Sequence, residues 1–371
     1  MKSYTKLCQP NLKDKMLMQN ADLEELTQQI VTGSNLSDEQ IQLCADLLTS
    51  INVEDSPKKE FLVAWSRKGE TSMELSSLVS AFRNKAITPN LDDFHDRAID
   101  LCGTGGDKAG RFNISTFVSF ILAAGGVPVI KHGNRSISSK CGSADLLEAI
   151  GIPLQANSDI LRAGLEELNF AFLFAPAFHP AFKHIVSVRK SLAEDGIITI
   201  FNLLGPMLNP ARPKNQLLGV FSERYLEKIG AALQDNGTEN GMVVHGRISN
   251  DTITGVDELT ACGINQVLGF GSLQTQGVES WKPSRWNQEE FDFQDLKGGS
   301  LDENLSIMKK VLSQDCPPGL WATIMINAAT AFVLSGKSSN LEDGNEYARH
   351  LIESGKVSQW LERSREFFSK R

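Results

Sequence analysis

AIDLCGTGGDKAGRFNISTFVSFILAAGGVPVIKHGNR, residues 98–135, is the stretch that decides how this chain is built. Residues 98–102 are a short apolar run of strand length, closed by Gly103-Thr104-Gly105-Gly106-Asp107. The most apolar part of the chain, 114–130, contains Ser115, Thr116, Ser119, Gly125, Gly126 and Pro128. It predicts a buried helix and then a strand over 126–130, not a membrane span. Strand, glycine turn, helix and strand in that order is the repeating unit of an α/β domain.

Downstream the same style continues. A helix is expected over 143–150, closed by Gly151, and strands over 170–174, 199–202, 217–221 and 241–245. Helices are expected over 225–233, 305–312 and 322–334, while 271–299 is polar and weakly patterned and reads as a surface excursion. Alternation of this kind implies an α/β fold around a largely buried sheet. Upstream, residues 21–31, 37–49, 61–67 and 71–83 carry apolar side chains at helical spacing, with no strand. Ser37 precedes Glu39 and Gln40, and Thr71 with Glu74 has capping-box spacing. The expected organisation is a small helical domain over 1–95, joined by about 181–195, and a large α/β domain over 96–371.

With 41% hydrophobic and 22% charged residues in 371, the chain is an ordinary globular one; disorder, collagen and coiled coil are excluded as whole-chain descriptions. Its net charge of -8 and pI near 5.4 argue against a protein that coats nucleic acid. Cysteines at 8, 44, 102, 141, 262 and 316 have no CxxC spacing, so zinc and redox motifs are unsupported. Scattered cysteines suit a reducing cytosol, and residues 1–26 lack the apolar core of a secretory signal. A cytoplasmic protein without membrane or nucleic-acid partners is expected.

Four constellations carry chemistry. In the first, Gly103–Asp107 with Asn113, Ser115 and Thr116 joins a tight turn to a helix start, where backbone N–H groups suit an anion. Lys108 stands where a dinucleotide fingerprint needs glycine, and no Walker lysine follows. Asp107 would repel a phosphate unless a metal or a hydroxyl-bearing ligand intervenes. The second is Lys131-His132-Gly133-Asn134-Arg135 with Ser136, Ser138, Ser139, Lys140, Gly142 and Ser143, at a strand end where α/β sheets bind ligands. The third is Phe174–Pro180 with His179, followed by Arg189. Taken singly, His179 reads as a satisfied core histidine and Arg189 as a surface cation. The fourth, Asp257-Glu258, suits Mg²⁺, which takes one or two protein oxygens and leaves the rest to water and phosphate. Alone it also reads as a solvated acidic turn.

Together these segments resemble the anthranilate phosphoribosyltransferases: GTGGD, NIST, KHGNR, GSADLLEA, FLFAPAFHPA, IFNLLGP and the VVHG–DE region stand in the family's order over residues 21–356. KHGNR alone is also similar to pyrimidine nucleoside phosphorylases; GTGGD and the FAPxxHPA segment separate the two. The resemblance implies a helical domain plus a large α/β domain with a mostly parallel central sheet, of nucleoside phosphorylase/phosphoribosyltransferase type, in a homodimer. It implies Mg²⁺-dependent transfer of phosphoribosyl from PRPP to the amine of anthranilate, releasing pyrophosphate, in tryptophan biosynthesis. It assigns Gly103, Thr104, Gly106, Asp107, Asn113, Ser115, Thr116, Lys131, Gly133, Asn134, Ser139 and Ser143 to PRPP. Gly103, His132, Asn134, His179 and Arg189 are assigned to anthranilate, and Ser115, Asp257 and Glu258 to the metal; it assigns no residue a certain catalytic role. The sequence departs from the family's usual pattern at Ala193-Glu194-Asp195, at Ile198, at Cys141 and in extra polar residues between Gly246 and Gly255. Alternatives are transfer to a different aromatic acceptor, a nucleoside phosphorylase, or a non-catalytic relative that binds nucleic acid.

Overall fold

A computed structural model of the chain describes residues 12–107, 109–135, 140–248 and 255–371. They divide into two compact units, one made of residues up to Lys85 with Pro180–Phe201, the other of Ala86–His179 and Asn202–Arg371. No helix among the described residues is long and apolar enough to cross a membrane.

The smaller unit contains helices Leu12–Val31, Asp38–Leu48, Asp55–Lys68, Ser72–Lys85 and Val186–Glu194. The expected capping box at Thr71 forms, and the helix start expected at Ser37 is a capping box as well. Ser37 pairs with Gln40, and Thr71 N–H donates to Glu74 Oε2 (2.8 Å) while Glu74 N–H donates to Thr71 Oγ1 (3.1 Å). Leu23, Ile41, Phe61, Trp65, Leu78 and Phe82 bury the shared apolar face. Glu74 is fully buried there, held by the Leu36 N–H and by Lys68 Nζ, both at 2.9 Å. Residues 180–201 are fastened to this unit by polar bonds. Lys58, only 1% exposed, donates to the carbonyls of Ser50 and His184, each at 2.8 Å, and Lys59 reaches Ser191 and Asp195. Ala193-Glu194-Asp195 thus close a helix end: Asp195 is the C-cap, Gly196 follows at φ +69°, and the Asp195 carboxylate takes an ion pair from Lys59.

The larger unit is built on a sheet of eight described strands: β1 (Ile99–Gly103), β2 (Val129–Gly133), β3 (Phe170–Phe174), β4 (Asn215–Gly219), β5 (Asn240–Arg247), β6 (Gly255–Val256), β7 (Ile264–Phe270) and β8 (Glu279–Trp281). Their order is β3-β2-β1-β4-β5-β7-β8, with β6 on β5. The first five are parallel, and β6, β7 and β8 are antiparallel additions. Helices Ile114–Ala124 and Pro318–Leu334 are buried almost all round and pack with the sheet as core helices, hence their unbroken apolar sequences. Phe120 lies stacked on Trp360 with ring centres 5.4 Å apart.

Several expectations shift. The strand expected at 126–130 begins at Val129, because Pro128 has no N–H for a ladder and Gly126 sits at φ +83°. The strand expected at 199–202 does not form: Phe201–Leu204 is one helical turn running into the 3₁₀ segment Gly205–Met207. The stretch 271–299 is not merely superficial, since it contributes β8 and buries Trp281, Trp286 and Leu296. Helices Ser158–Leu168, Leu341–Glu353 and Lys356–Ser369, and strands β6 and β7, are additions to the expected set.

Candidate active site

The parallel strands β3, β2, β1 and β4 finish on one edge of the sheet, and most of the expected site residues lie on or just after these strand ends. Gly103 ends β1. The loop behind it turns through Gly105 and Gly106, at φ +67° and +84°, values that favour glycine. Thr104 joins this loop to the end of β4: its N–H donates to Gly219 O at 2.9 Å, and its Oγ1 accepts from Phe221 N–H at 3.0 Å.

Asp257 is seated in the same place. Gly105 N–H donates to its Oδ2 at 2.6 Å. A Cβ on Gly219 would lie 1.6 Å from Asp257 O, and one on Gly103 would lie 2.2 Å from Asp257 Oδ2. Two strand-end glycines therefore leave the hollow that this acid fills. Asp107, Asp257 and Glu258, separated by some 150 residues of chain, converge with side chains 11%, 8% and 14% exposed. One guanidinium holds all three: Arg111 Nη2 meets Asp107 Oδ2 and Asp257 Oδ1, and its Nη1 meets Glu258 Oε1. Arg111 was not among the expected site residues.

Burial, above all, pushes Glu258 up to about 7, with Asp257 and Asp107 adding to the rise and Arg111 opposing it. Burial and the neighbouring Asp107 raise Asp257 likewise. Burial also works against Asp107, but the Arg111 charge, aided by the Ala109 N–H, outweighs it and holds that carboxyl below its ordinary range. Three carboxylates against one guanidinium leave two negative charges when all are ionised. Glu258 Oε2 is buried without a hydrogen-bond partner among the described residues. With Arg111 seated between them, no three such side chains among the described residues are arranged to hold a metal ion, but the residual charge and the spare oxygen suit Mg²⁺ in chemical kind. Ser115 stands apart from this cluster in its bonding: its Oγ accepts from Lys131 Nζ at 3.4 Å.

Lys131 is 2% exposed and also donates to Leu101 O at 2.5 Å. Burial pulls its ammonium below the ordinary lysine value, and Asp100 opposes the shift. Asp100 itself is fully buried beneath the loop, and desolvation raises it to about 6 against Lys131 and Asn209. Asn209 Nδ2 donates to Asp100 Oδ2 at 2.9 Å and to Ile130 O at 2.8 Å, tying β1 to β2 below the site. Neither Asp100 nor Asn209 was singled out in the sequence, because nothing local marks an acid on an apolar strand as a support for a lysine on the next.

His132 follows Lys131 on β2 and lies edge-on to His179, which follows β3, with ring centres 5.3 Å apart. His179 Nε2 is 2.9 Å from Leu208 O, so that nitrogen carries the proton. Gly133 ends β2, where a Cβ would meet Ser143 Oγ at 2.6 Å. Ser143 Oγ in turn is 3.4 Å from Asn134 O. Asn113 precedes helix Ile114–Ala124 without a side-chain capping bond and extends its amide to Cys141 Sγ at 3.9 Å; Thr116 is buried in the first turn. Gly103, Thr104, Gly106, Asp107, Asn113, Ser115, Thr116, Lys131, His132, Gly133, Asn134, Ser143, His179, Asp257 and Glu258 all belong to the larger unit. Ser139 and the extra polar residues 249–254 lie outside the described residues. Arg189 belongs to the smaller unit, with its guanidinium 5.4 Å from the Phe201 ring centre, and burial lowers its pKa.

Residues 95–358 match the model of the glycosyl transferase family, a/b domain. The chain is 38% identical over 340 residues to the anthranilate phosphoribosyltransferase of Petrotoga mobilis, covering 92% of this chain and 95% of that one. This chain belongs to the anthranilate phosphoribosyltransferase family. The crystal structure of the anthranilate phosphoribosyltransferase from Thermus thermophilus superposes with a TM-score of 0.81 at 34% identity, over 93% of this chain and 99% of that one. The Saccharomyces cerevisiae anthranilate phosphoribosyltransferase in complex with PRPP and Mg shares the fold, with a TM-score of 0.80 at 23% identity over 95% of this chain and 99% of that one. Anthranilate phosphoribosyltransferase relatives thus span both units of the chain. The nucleoside phosphorylase and nucleic-acid-binding alternatives give way to this family.

Proposed function

We propose that this chain transfers the phosphoribosyl group of PRPP to the amine of anthranilate, with Mg²⁺ held at Asp257 and Glu258. The observation that carries the reading is the glycine-seated carboxylate cluster, placed on the same sheet edge as the buried cation Lys131. In the reaction the ribose C1–oxygen bond to pyrophosphate breaks, a C1–nitrogen bond to the amine forms, and the amine loses one proton. Bound Mg²⁺ supplies charge neutralisation for the departing pyrophosphate. The chain's own residues align the two reactants. The loop Gly103–Asp107 presents backbone N–H groups, Lys131 adds a fixed positive charge, and the first turn of helix Ile114–Ala124 favours an anion. An aromatic amine is a competent nucleophile once aligned, so positioning supplies much of the rate enhancement.

Arg189 is assigned the acceptor's carboxylate. It is a mostly buried guanidinium stacked on Phe201, with no ion pair to an acid among the described residues, which leaves its fork for a ligand. Arg189→Ala should raise the KM for anthranilate by roughly 10- to 100-fold, the loss of charge-assisted hydrogen bonds of about 1.5–3 kcal/mol. The KM for PRPP should stay near the parent value. Equal effects on both constants in steady-state assays would remove Arg189 from acceptor binding.

The direct test is loss of anthranilate fluorescence on mixing the protein with PRPP, Mg²⁺ and anthranilate, against controls lacking each. Decay that needs all components supports the assignment. A protein that binds PRPP by calorimetry yet leaves anthranilate untouched would keep the donor and overturn the acceptor, and other aromatic amines would then be screened.

A further inference from the structure

Arg111 meets the carboxylates that the proposed reaction gives to a metal ion. Its side chain is 7% exposed and meets all three carboxylates at once. Its backbone is pinned: Phe112 N–H donates to Leu296 O at 3.0 Å, Gly298 N–H donates to Gly110 O at 2.9 Å, and Arg111 bridges to Lys297. A Cβ on Gly298 would lie 2.4 Å from the Arg111 backbone, so the two strands of chain are in close contact. Any rearrangement of Arg111 is therefore a rotation of the side chain, not a shift of the loop. The seat is also imperfect. Arg111 Nε and Glu258 Oε2 are both buried without hydrogen-bond partners among the described residues, although each could bond in a better arrangement.

We propose that Arg111 is a tethered stand-in for the divalent cation. Without the donor substrate, its guanidinium holds Asp107, Asp257 and Glu258 together and offsets one of their charges. The metal gains these carboxylates only when a diphosphate group gives Arg111 another partner. This rests on the reading of Asp257 and Glu258 as the metal pair. A guanidinium and a divalent ion sharing one set of carboxylates repel each other at short range, so Arg111 and the metal compete for the cluster. A diphosphate resolves the competition, because its oxygens accept the planar fork of arginine in paired hydrogen bonds. Metal and diphosphate binding are then positively coupled, and the coupling is reciprocal. Arg111 acts as a positioning residue: it keeps a naked cation out of the site and admits one together with the group whose charge it must neutralise.

The test uses the full chain with Mn²⁺ as the probe. Water-proton relaxation enhancement distinguishes protein-bound Mn²⁺ from its small soluble complex with pyrophosphate. The parent should bind Mn²⁺ weakly alone and at least about tenfold more tightly with pyrophosphate present. Arg111→Gln should bind Mn²⁺ alone at least about tenfold more tightly than the parent, and gain less from pyrophosphate. Arg111→Lys keeps a charge but cannot span three carboxylates, so it should fall between them and serves if Arg111→Gln does not fold. Variants that bind Mn²⁺ no more tightly than the parent overturn the proposal. If Asp257→Asn with Glu258→Gln leaves Mn²⁺ binding unchanged, the metal pair itself is wrong and the proposal falls with it. If that double variant loses the metal while the Arg111 variants match the parent, only the role of Arg111 is lost.

Discussion

Replacing Asp257 by Asn and Glu258 by Gln together should lower kcat/KM for PRPP by about 100- to 1000-fold, the scale on which removal of a preorganised charge-stabilising group is felt, and flatten the response to added Mg²⁺. The amides keep the shape of the side chains but not the charge that draws a cation. The fold should survive the change. Glu258 is raised to about 7 by burial, so the stability it confers when protonated is present at acid pH and is lost as pH rises through about 7. An uncharged amide does not undergo that loss. Against this, Arg111 faces neutral amide oxygens in place of two of its three carboxylates and keeps its ion pair with Asp107. Steady-state rates across a Mg²⁺ titration, with circular dichroism to verify folding, decide the matter. A folded double variant with the parent's Mg²⁺ profile would exclude the pair from the reaction.

Gly219→Ala should be nearly as damaging, although it adds one methyl group and removes no functional atom. That methyl would stand 1.6 Å from Asp257 O, a contact that only movement of the backbone can relieve. The acid would leave its hollow, and with it the bond from Gly105 N–H and the contact with Arg111. Overpacking of this kind costs about 1–3 kcal/mol in stability. Displacing a reacting-site group should add a loss of roughly 100-fold in kcat/KM. Gly205→Ala is the matched control, since its added methyl would meet nothing within 4 Å; its stability should stay within about 0.5 kcal/mol of the parent. Melting temperatures and kcat/KM for both variants provide the check. Parent-like values for Gly219→Ala would mean that the seat of Asp257 is loose and the geometry unimportant.

Local chemistry was legible where the sequence itself carries it. The capping box at Thr71 needs only residues three apart, and it formed, as did the helix start at Ser37. Strand β3 was readable from its own apolar run and matched its expected bounds. The glycine turn after β1 announced a strand-to-helix junction, and the acid pair announced itself by its charge. What sequence concealed was pairing over distance. Arg111 is an unremarked cation in an exposed-looking loop until the fold brings it to carboxylates 146 and 147 residues further on. Asp100 reads as an irregularity in an apolar strand until Asn209 and Lys131 surround it. Residues 199–202 have strand-like side chains, but one helical turn and Pro206 claim them. Strand β7 mixes Asn265 and Gln266 with apolar residues, which hid a ladder that β5 supplies.

The smaller unit has a consequence for how the protein is made. Its last segment, Pro180–Phe201, emerges from the ribosome only after Ala86–His179 of the other unit. The Lys58 ammonium, buried at 1% exposure, must therefore wait 126 residues for the His184 carbonyl that completes its pair of acceptors. The first unit to be started is thus not complete until residue 201 has been made, more than a hundred residues after its fourth helix ends at Lys85. Until Pro180–Phe201 arrives, a nascent chain carries a helical cluster with part of its surface uncovered, the kind of intermediate that favours association with other chains. A fragment ending near residue 100 would be arrested in that condition.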